Sequence, residues 1–133
     1  MAVPKILAVD DDADTITILS AVLEEGGYLV VPARSGAEAI ERAKREAPAL
    51  VILDLILPDR NGLNVLETLK NLASMKNVPV LIVSAMPDKL LIERSYALGV
   101  CQYLIKPVYP LEILEHVRKH LSRSSKAPSL RIV

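Results

Sequence analysis

Residues 50–58 constrain the fold of this chain more than any other stretch. The apolar run Leu50-Val51-Ile52-Leu53 ends on the carboxylate of Asp54, and a turn-forming cluster follows at 58–62. A short apolar run bounded by turn residues is typical of a strand buried on both faces, although periodicity alone also allows a buried helix. In a strand, Asp54 lies at the carboxyl end, the edge of an open α/β sheet where ligands bind. A charge there is costly unless a metal ion or a cation pairs with it.

Four further apolar runs alternate with helical patterns along the chain. The runs cover residues 6–9, 28–31, 78–83 and 102–105, and the helical patterns begin near residues 12, 35, 63, 89 and 110. This alternation predicts a parallel sheet with helices on both faces, and right-handed crossovers leave few topologies open. We therefore predict one α/β domain over residues 1–121, followed by a basic, weakly patterned tail or linker at 122–133.

Composition argues against several classes of function. Sixteen basic and sixteen acidic residues cancel, so no global field draws the chain to nucleic acid or to an anionic membrane. No apolar run reaches membrane-spanning length, and the first residues lack the pattern of a signal peptide. The single cysteine, Cys101, cannot form an internal disulfide and fits a reducing compartment. We expect a cytoplasmic protein that binds neither membrane nor nucleic acid.

Polar side chains follow four of the five predicted strands. They are Asp10 and Asp11 after the first strand, Asp54 after the third, Ser84 after the fourth and Lys106 after the fifth. Carboxylates that converge without His or Cys suit Mg²⁺, and a divalent ion would keep them ionised. Such an ion would also neutralise a phosphoryl group that an Asp54 oxygen attacks in line. Lys106 would hold Asp54 and then the phosphoryl group, to which Ser84 would donate a hydrogen bond.

Taken together, these motifs resemble the receiver domain of two-component response regulators. Each motif is common by itself, but the full set in this order, each after a buried strand, is specific. The resemblance covers about residues 4–121 and rests on Val9-Asp10-Asp11, Asp54 with Pro58 and Gly62 behind it, Ser84-Ala85 and Lys106-Pro107. It implies a doubly wound, flavodoxin-like sheet of five parallel strands in the order 2-1-3-4-5, with helices on both faces.

The resemblance also implies a function and a metal site. Asp54 would accept a phosphoryl group from a histidine kinase or a histidine phosphotransfer protein, with Mg²⁺ as cofactor. Asp11 would ligate the ion directly and Asp10 mostly through water, alongside Asp54 and the backbone carbonyl of Ile56. The chain would be a signalling switch that catalyses only its own phosphorylation and dephosphorylation.

Further implications concern the switch and its partner. Ser84 and Tyr103 match the family's switch pair, in which the hydroxyl moves to the phosphoryl group and the ring turns inward. The output partner would contact the last two helices and the fifth strand. The peptide bond before Pro107 is expected to be cis, which is otherwise uncommon.

Several residues depart from the family pattern. In the family, two acidic residues often precede the aromatic residue of the fifth strand, but Cys101 and Gln102 stand there in this chain. In the winged-helix subfamily those acids join the salt bridges of an activated dimer, so that dimer is not expected here. Val108 replaces a frequent aromatic residue after Lys-Pro. The positions that flank the phosphoryl group, Ile56 and Met86, are both apolar. We hypothesise that they hinder the attacking water and prolong the phosphorylated state.

Two other functions remain possible. A receiver-like fold could act as a docking module that is never phosphorylated, although the complete set of acids, hydroxyl and lysine argues against this. A phosphohydrolase with an aspartyl nucleophile on its first strand would use Asp10 and Asp12, but Asp14 occupies a position where that family has Thr or Val. His116 and His120 lie four residues apart on the last helix, and we interpret them as part of a solvated face rather than as metal ligands.

Overall fold

The computed structural model describes residues 3–130, with side chains described for residues 3–122. Strands and helices alternate through this part of the chain. The strands are β1 (Lys5–Val9), β2 (Leu29–Ala33), β3 (Leu50–Leu53), β4 (Val80–Ser84) and β5 (Gln102–Ile105). The helices are α1 (Ala13–Glu25), α2 (Gly36–Glu46), α3 (Gly62–Asn71), α4 (Lys89–Ala97) and α5 (Pro110–Leu130), with a short 3₁₀ turn at Ala73–Met75.

The strands form one parallel sheet in the order β2-β1-β3-β4-β5. Leu7 of β1 is paired with Val51 of β3, and Leu53 of β3 with Ile82 of β4. The predicted fold class and strand order are therefore confirmed. From β1 the chain runs to β2, which lies beside β1 at one edge of the sheet, and then crosses to β3 on the other side of β1. The direction in which strands are added therefore reverses between β1 and β3. Such a switch point opens a crevice at the carboxyl ends of the strands.

Apolar side chains fill a core on each face of the sheet. Alternate residues of β1 point to opposite faces, so Leu7 packs in the core under α2 and α3 while Ile6 packs in the core under α1 and α5. All four residues of β3 are buried, which explains its continuous apolar sequence. Each fully buried Leu or Ile contributes about 1.5–3 kcal/mol relative to an exposed one.

Local side-chain hydrogen bonds fix where the helices begin. Asp12 caps α1 by accepting a hydrogen bond from the backbone N–H of Asp14. Ser35 Oγ accepts from the N–H of Glu38, which is the first half of a capping box. The Glu38 carboxylate reaches back one residue further than the motif requires and accepts from the N–H of Arg34 at 2.7 Å.

The last helix is longer than its sequence pattern indicates. We predicted that residues 122–133 form a tail or linker. Helix α5 continues into this segment as far as Leu130, and the role of the segment as a tail or linker stays a prediction. The remainder of that segment, residues 131–133, lies outside the described residues. Within the described part of the chain, no helix is both long and apolar enough to cross a membrane.

Candidate functional site

An acidic pocket lies at the carboxyl edge of the sheet, at the switch point. Asp10 follows β1, Asp54 follows β3, and both are buried, with 7% and 5% of their surface exposed. Lys106 follows β5, and its Nζ lies 2.7 Å from Asp10 Oδ2 and 2.9 Å from Asp54 Oδ2. The ammonium group therefore bridges two buried carboxylates from separate strands and compensates part of their charge.

Backbone groups orient the two bridged carboxylates. Asp10 Oδ1 accepts a hydrogen bond from the N–H of Asp12, and Asp54 Oδ1 accepts from the N–H of Ile56, each at 2.9 Å. Both oxygens of Asp10 are thus engaged, one by the backbone and one by Lys106. Asp54 is held in the same way, by the N–H of Ile56 and by Lys106, and the expectation that Asp10 reaches a metal ion mostly through water stays a prediction.

The charge of Lys106 is secured by the same contacts. Partial burial by itself lowers the pKa of its ammonium group, but the hydrogen bonds and the charges of Asp10 and Asp54 outweigh that effect and leave the pKa above its ordinary value. Lys106 is therefore a permanent cation at neutral pH.

Three carboxylates come together as a possible metal site. Asp10, Asp11 and Asp54 each offer an oxygen, and these oxygens lie within 4.8 Å of one another. Asp11 is exposed, so its carboxylate is accessible from solvent. A donor set of carboxylate oxygens from an open crevice fits Mg²⁺, which keeps part of its water shell. The three acids named from the sequence therefore do lie together, and their role as Mg²⁺ ligands, with that of the Ile56 carbonyl, stays a prediction.

Ser84 and Tyr103, the predicted switch pair, lie on the adjacent strands β4 and β5. Ser84 Oγ is buried and makes no hydrogen bond of good geometry to the described residues. The Tyr103 ring is also buried, and its hydroxyl donates a 2.7 Å hydrogen bond to the carbonyl oxygen of Met86. Burial raises the pKa of Tyr103, although the nearby Ser84 hydroxyl lowers it in part. The ring thus occupies an inward position in this structure.

The predicted flanking residues Ile56 and Met86 share a surface cleft of about 560 Å³. Their side chains are 47% and 40% exposed, so both are accessible beside the pocket. The loop that carries Ile56 is closed by a bridge between Ile56 and Asn61. Gly62 lies so close to this loop that a Cβ would overlap the backbone of Leu55, which explains why glycine begins α3.

Two residues that the sequence analysis missed brace the pocket. The Arg34 guanidinium binds the carbonyl oxygen of Asp11, with Nη2 at 2.9 Å and Nε at 3.3 Å. Asp59, in the loop after Asp54, accepts hydrogen bonds from the N–H groups of Gly36 and Ala37 at the start of α2, and these bonds hold its pKa below the ordinary value. Both contacts join residues 22 or 23 positions apart, so no local pattern could have indicated them.

Three further predictions concern residues next to β5 and on α5. The peptide bond between Lys106 and Pro107 is cis, as expected. Cys101 is partly buried against the core under α1 and α5, and burial raises the pKa of its thiol to about 11, which fits a packed rather than a reactive cysteine. The interpretation of the histidines as a solvated face was wrong, because His120 is only 6% exposed and its ring stacks on that of His116 at 6.3 Å.

The fold and the pocket define a class of protein: a flavodoxin-like α/β domain that presents carboxylates and a lysine at its switch point. The chain belongs to the response regulator receiver domain family, whose sequence model matches residues 6–118. A solved structure from Methanospirillum hungatei, a CheY-like response regulator receiver domain protein, superposes with a TM-score of 0.90 at 28% identity, covering 95% of this chain and 99% of the other.

Two relatives show how the domain occurs in longer proteins. The alkaline phosphatase synthesis transcriptional regulatory protein PhoP of Bacillus subtilis is 36% identical over 94% of this chain and 52% of the relative. The DNA-binding response regulator MtrA of Mycobacterium tuberculosis is 32% identical over 94% of this chain and 54% of the relative. The chain therefore spans about half the length of these relatives, and it is a response regulator receiver domain of the two-component type.

Proposed function

We propose that this domain is a phosphorylation-controlled switch whose Asp54 accepts a phosphoryl group in the presence of Mg²⁺. One observation carries the proposal: the buried Asp54 carboxylate shares the Lys106 ammonium with Asp10, within 4.8 Å of a third acid, Asp11. A cluster of like charges from separate strands is costly to keep in a fold. A function that needs both a divalent ion and a nucleophile accounts for keeping it.

In the proposed reaction, an Asp54 oxygen attacks the phosphorus of the donor in line. A new O–P bond forms as the bond to the leaving group breaks, and the leaving group takes the electron pair. The backbone N–H of Ile56 holds one Asp54 oxygen and Lys106 the other, so the carboxylate is oriented before the donor arrives. When bound by Asp10, Asp11 and Asp54, Mg²⁺ would supply positive charge that stabilises the transferring phosphoryl group.

After transfer, the chain's own polar groups would hold the product. Lys106 would pair with a phosphoryl oxygen, and the Ser84 hydroxyl, which lacks a good partner among the described residues, would donate a hydrogen bond to another. To make this hydrogen bond, the Ser84 hydroxyl would move toward the phosphoryl group, and this movement would favour the inward position of the Tyr103 ring. Phosphorylation would thereby bias an existing two-state equilibrium of the surface formed by α4, β5 and α5.

The proposed partners follow from this chemistry. A histidine kinase or a histidine phosphotransfer protein would donate the phosphoryl group, and an output partner would bind the surface of α4, β5 and α5. PhoP is named a transcriptional regulatory protein and MtrA a DNA-binding response regulator, and both proteins are about twice as long as this chain. We propose that this chain acts through a separate output element and does not itself bind nucleic acid.

Intact-mass spectrometry after incubation with acetyl phosphate and Mg²⁺ tests the proposal. We expect a gain of one phosphoryl group in the wild type, no gain in Asp54→Ala, and no gain when a chelator replaces Mg²⁺. Asp14→Ala is a matched control, because it removes an exposed carboxylate of the neighbouring helix α1 that lies outside the metal cluster. A wild type that stays unmodified would favour the docking module, and a gain that persists in Asp54→Ala but disappears in Asp10→Ala would favour the phosphohydrolase.

A further inference from the structure

Helix α4 is lightly anchored to the rest of the domain. Of its nine residues only Ser95 is fully buried, and Leu91 and Ile92 are partly buried against the core. Leu90 and Tyr96 are 57% and 45% exposed. A helix with so little buried apolar surface gains little stability from packing. Polar contacts at the two ends of α4 therefore contribute a larger share of the energy that holds this helix in place than such contacts do for the other helices.

Asp88 caps the start of α4 from within the same segment, and Tyr103 of β5 makes a polar contact near each end of the helix. Its hydroxyl donates to the carbonyl oxygen of Met86, three residues before α4 begins, at 2.7 Å. Its backbone N–H donates to the hydroxyl of Tyr96, one residue before α4 ends, at 3.1 Å. Tyr103 thus holds the segment of α4 near both ends, once through its side chain and once through its backbone.

The second contact is possible because β5 is an edge strand. The N–H of Lys106 donates to the carbonyl of Ser84 and so faces β4. Successive N–H groups of a strand alternate in direction, so the N–H of Tyr103, three residues earlier, points away from β4 and out of the sheet. The Tyr96 hydroxyl occupies the place that a further strand or water would take. It satisfies a backbone donor that would otherwise be unpaired at the edge.

We propose that Tyr96 is a positioning residue of the switch: its hydroxyl couples the position of α4 to the inward position of Tyr103. The proposal rests on the proposed function insofar as Tyr103 serves as the switch residue. The Tyr96 hydroxyl binds the backbone of β5 and so fixes the place of α4, whether or not the Tyr103 ring moves. Because Met86 lies in the segment that leads into α4, a shift of α4 that breaks the Tyr96 bond also moves the carbonyl to which the Tyr103 hydroxyl donates. The two hydrogen bonds therefore favour one joint arrangement of ring and helix, and whatever stabilises that arrangement at the pocket also stabilises it at α4.

Hydrogen exchange of the Tyr103 amide, measured by NMR on the unphosphorylated protein, tests the contact itself. Tyr96→Phe removes only the hydroxyl, and we expect the Tyr103 amide to exchange about fivefold faster, the factor that matches a typical net hydrogen bond. Tyr109→Phe is the matched control, because that side chain lies nearby after β5 and is 81% exposed. The amides of Leu53 and Ile82 report global opening and should keep their rates. An unchanged Tyr103 rate in Tyr96→Phe overturns the proposal.

Binding of beryllofluoride, a phosphoryl analogue, in the presence of Mg²⁺ tests the coupling. If Tyr96 stabilises the arrangement that the analogue selects, Tyr96→Phe should weaken the affinity by about two- to fivefold, since the coupling cannot exceed the value of the lost bond. Tyr109→Phe should bind as the wild type does. Faster exchange of the Tyr103 amide together with unchanged affinity would show a purely structural contact and overturn the coupling.

The two experiments separate this proposal from the proposed function. A wild type that binds no beryllofluoride and takes up no phosphoryl group would refute the switch, and the coupling with it, while the exchange measurement would still decide whether Tyr96 protects the edge of β5. Normal phosphorylation of Asp54 with equal affinities in wild type and Tyr96→Phe would refute the coupling and leave the switch intact.

Discussion

Removing the ammonium group of Lys106 is the perturbation whose outcome is most tightly defined by the pocket. Lys106→Met keeps most of the aliphatic side chain and deletes the cation that contacts Asp10 Oδ2 at 2.7 Å and Asp54 Oδ2 at 2.9 Å. Two buried carboxylates then face each other without compensation. We expect the variant to fold but to be markedly less stable in the absence of Mg²⁺ at neutral pH.

The magnitude follows from the geometry. Carboxylate oxygens of the two acids lie within 4.8 Å, where their repulsion is about 3 kcal/mol at an effective dielectric constant of about 20. Breaking a buried ion pair by removing one partner costs about 3–5 kcal/mol. Because the Lys106 side chain is 27% exposed, we expect the lower end, about 3 kcal/mol. A domain of this size has a total stability of about 5–15 kcal/mol, so the variant should remain folded.

Urea denaturation with a chelator and with millimolar Mg²⁺ measures this effect. Mg²⁺ should stabilise Lys106→Met more than it stabilises the wild type, because the ion no longer competes with the ammonium group for the carboxylates. Adding Asp10→Asn to the variant should recover part of the loss, since one of the two charges is removed. Lys89→Met, at an exposed lysine, is the control. Equal stabilities of Lys106→Met and wild type in chelator would refute the reasoning.

Three further predictions concern the surroundings of the pocket. Asp59→Asn should lower the urea midpoint at neutral pH. Hydrogen bonds hold the pKa of Asp59 below the ordinary 3.8. The difference in stability between wild type and variant should therefore be complete above pH 3.8 and disappear as the pH falls through the lowered pKa. Ile56→Asn with Met86→Glu should shorten the phosphorylated lifetime by admitting water, which the rate of phosphate release measures, and equal lifetimes would contradict the hypothesis. Cys101, with its pKa raised to about 11 from 9.0, should react with iodoacetamide much more slowly at pH 8 than a free thiol, and a comparable rate would refute its burial.

The sheet and the acidic pocket could be predicted because they depend on local sequence. A strand buried on both faces has a continuous apolar sequence, and the residue that follows it lies at the carboxyl edge of the sheet. Asp10, Asp54 and Lys106 therefore came together as expected. One boundary differs from the sequence prediction. Strand β2 begins at Leu29 rather than Tyr28, because the N–H of Tyr28 donates to the carbonyl of Leu23 and so closes the end of α1.

What the sequence did not indicate are contacts between elements distant in the chain. Arg34 and Asp59 look like ordinary surface charges, and only the fold shows that each binds backbone of a neighbouring loop. Tyr96 has the spacing of an exposed helical residue, yet its hydroxyl reaches the edge of β5. His120 was assigned to a solvated face because its type is polar, whereas its position on α5 buries it. Such contacts depend on the relative placement of packed elements, which residue type and periodicity do not specify.

Locating the modified residue tests the central claim most directly. The protein is incubated with acetyl phosphate and Mg²⁺, reduced with borohydride, which converts an aspartyl phosphate to homoserine, and mapped by peptide mass spectrometry. We predict homoserine at position 54 and unmodified aspartate at positions 10 and 11. Homoserine at Asp10 or Asp11, or an intact Asp54 after full reaction with the donor, would contradict the account.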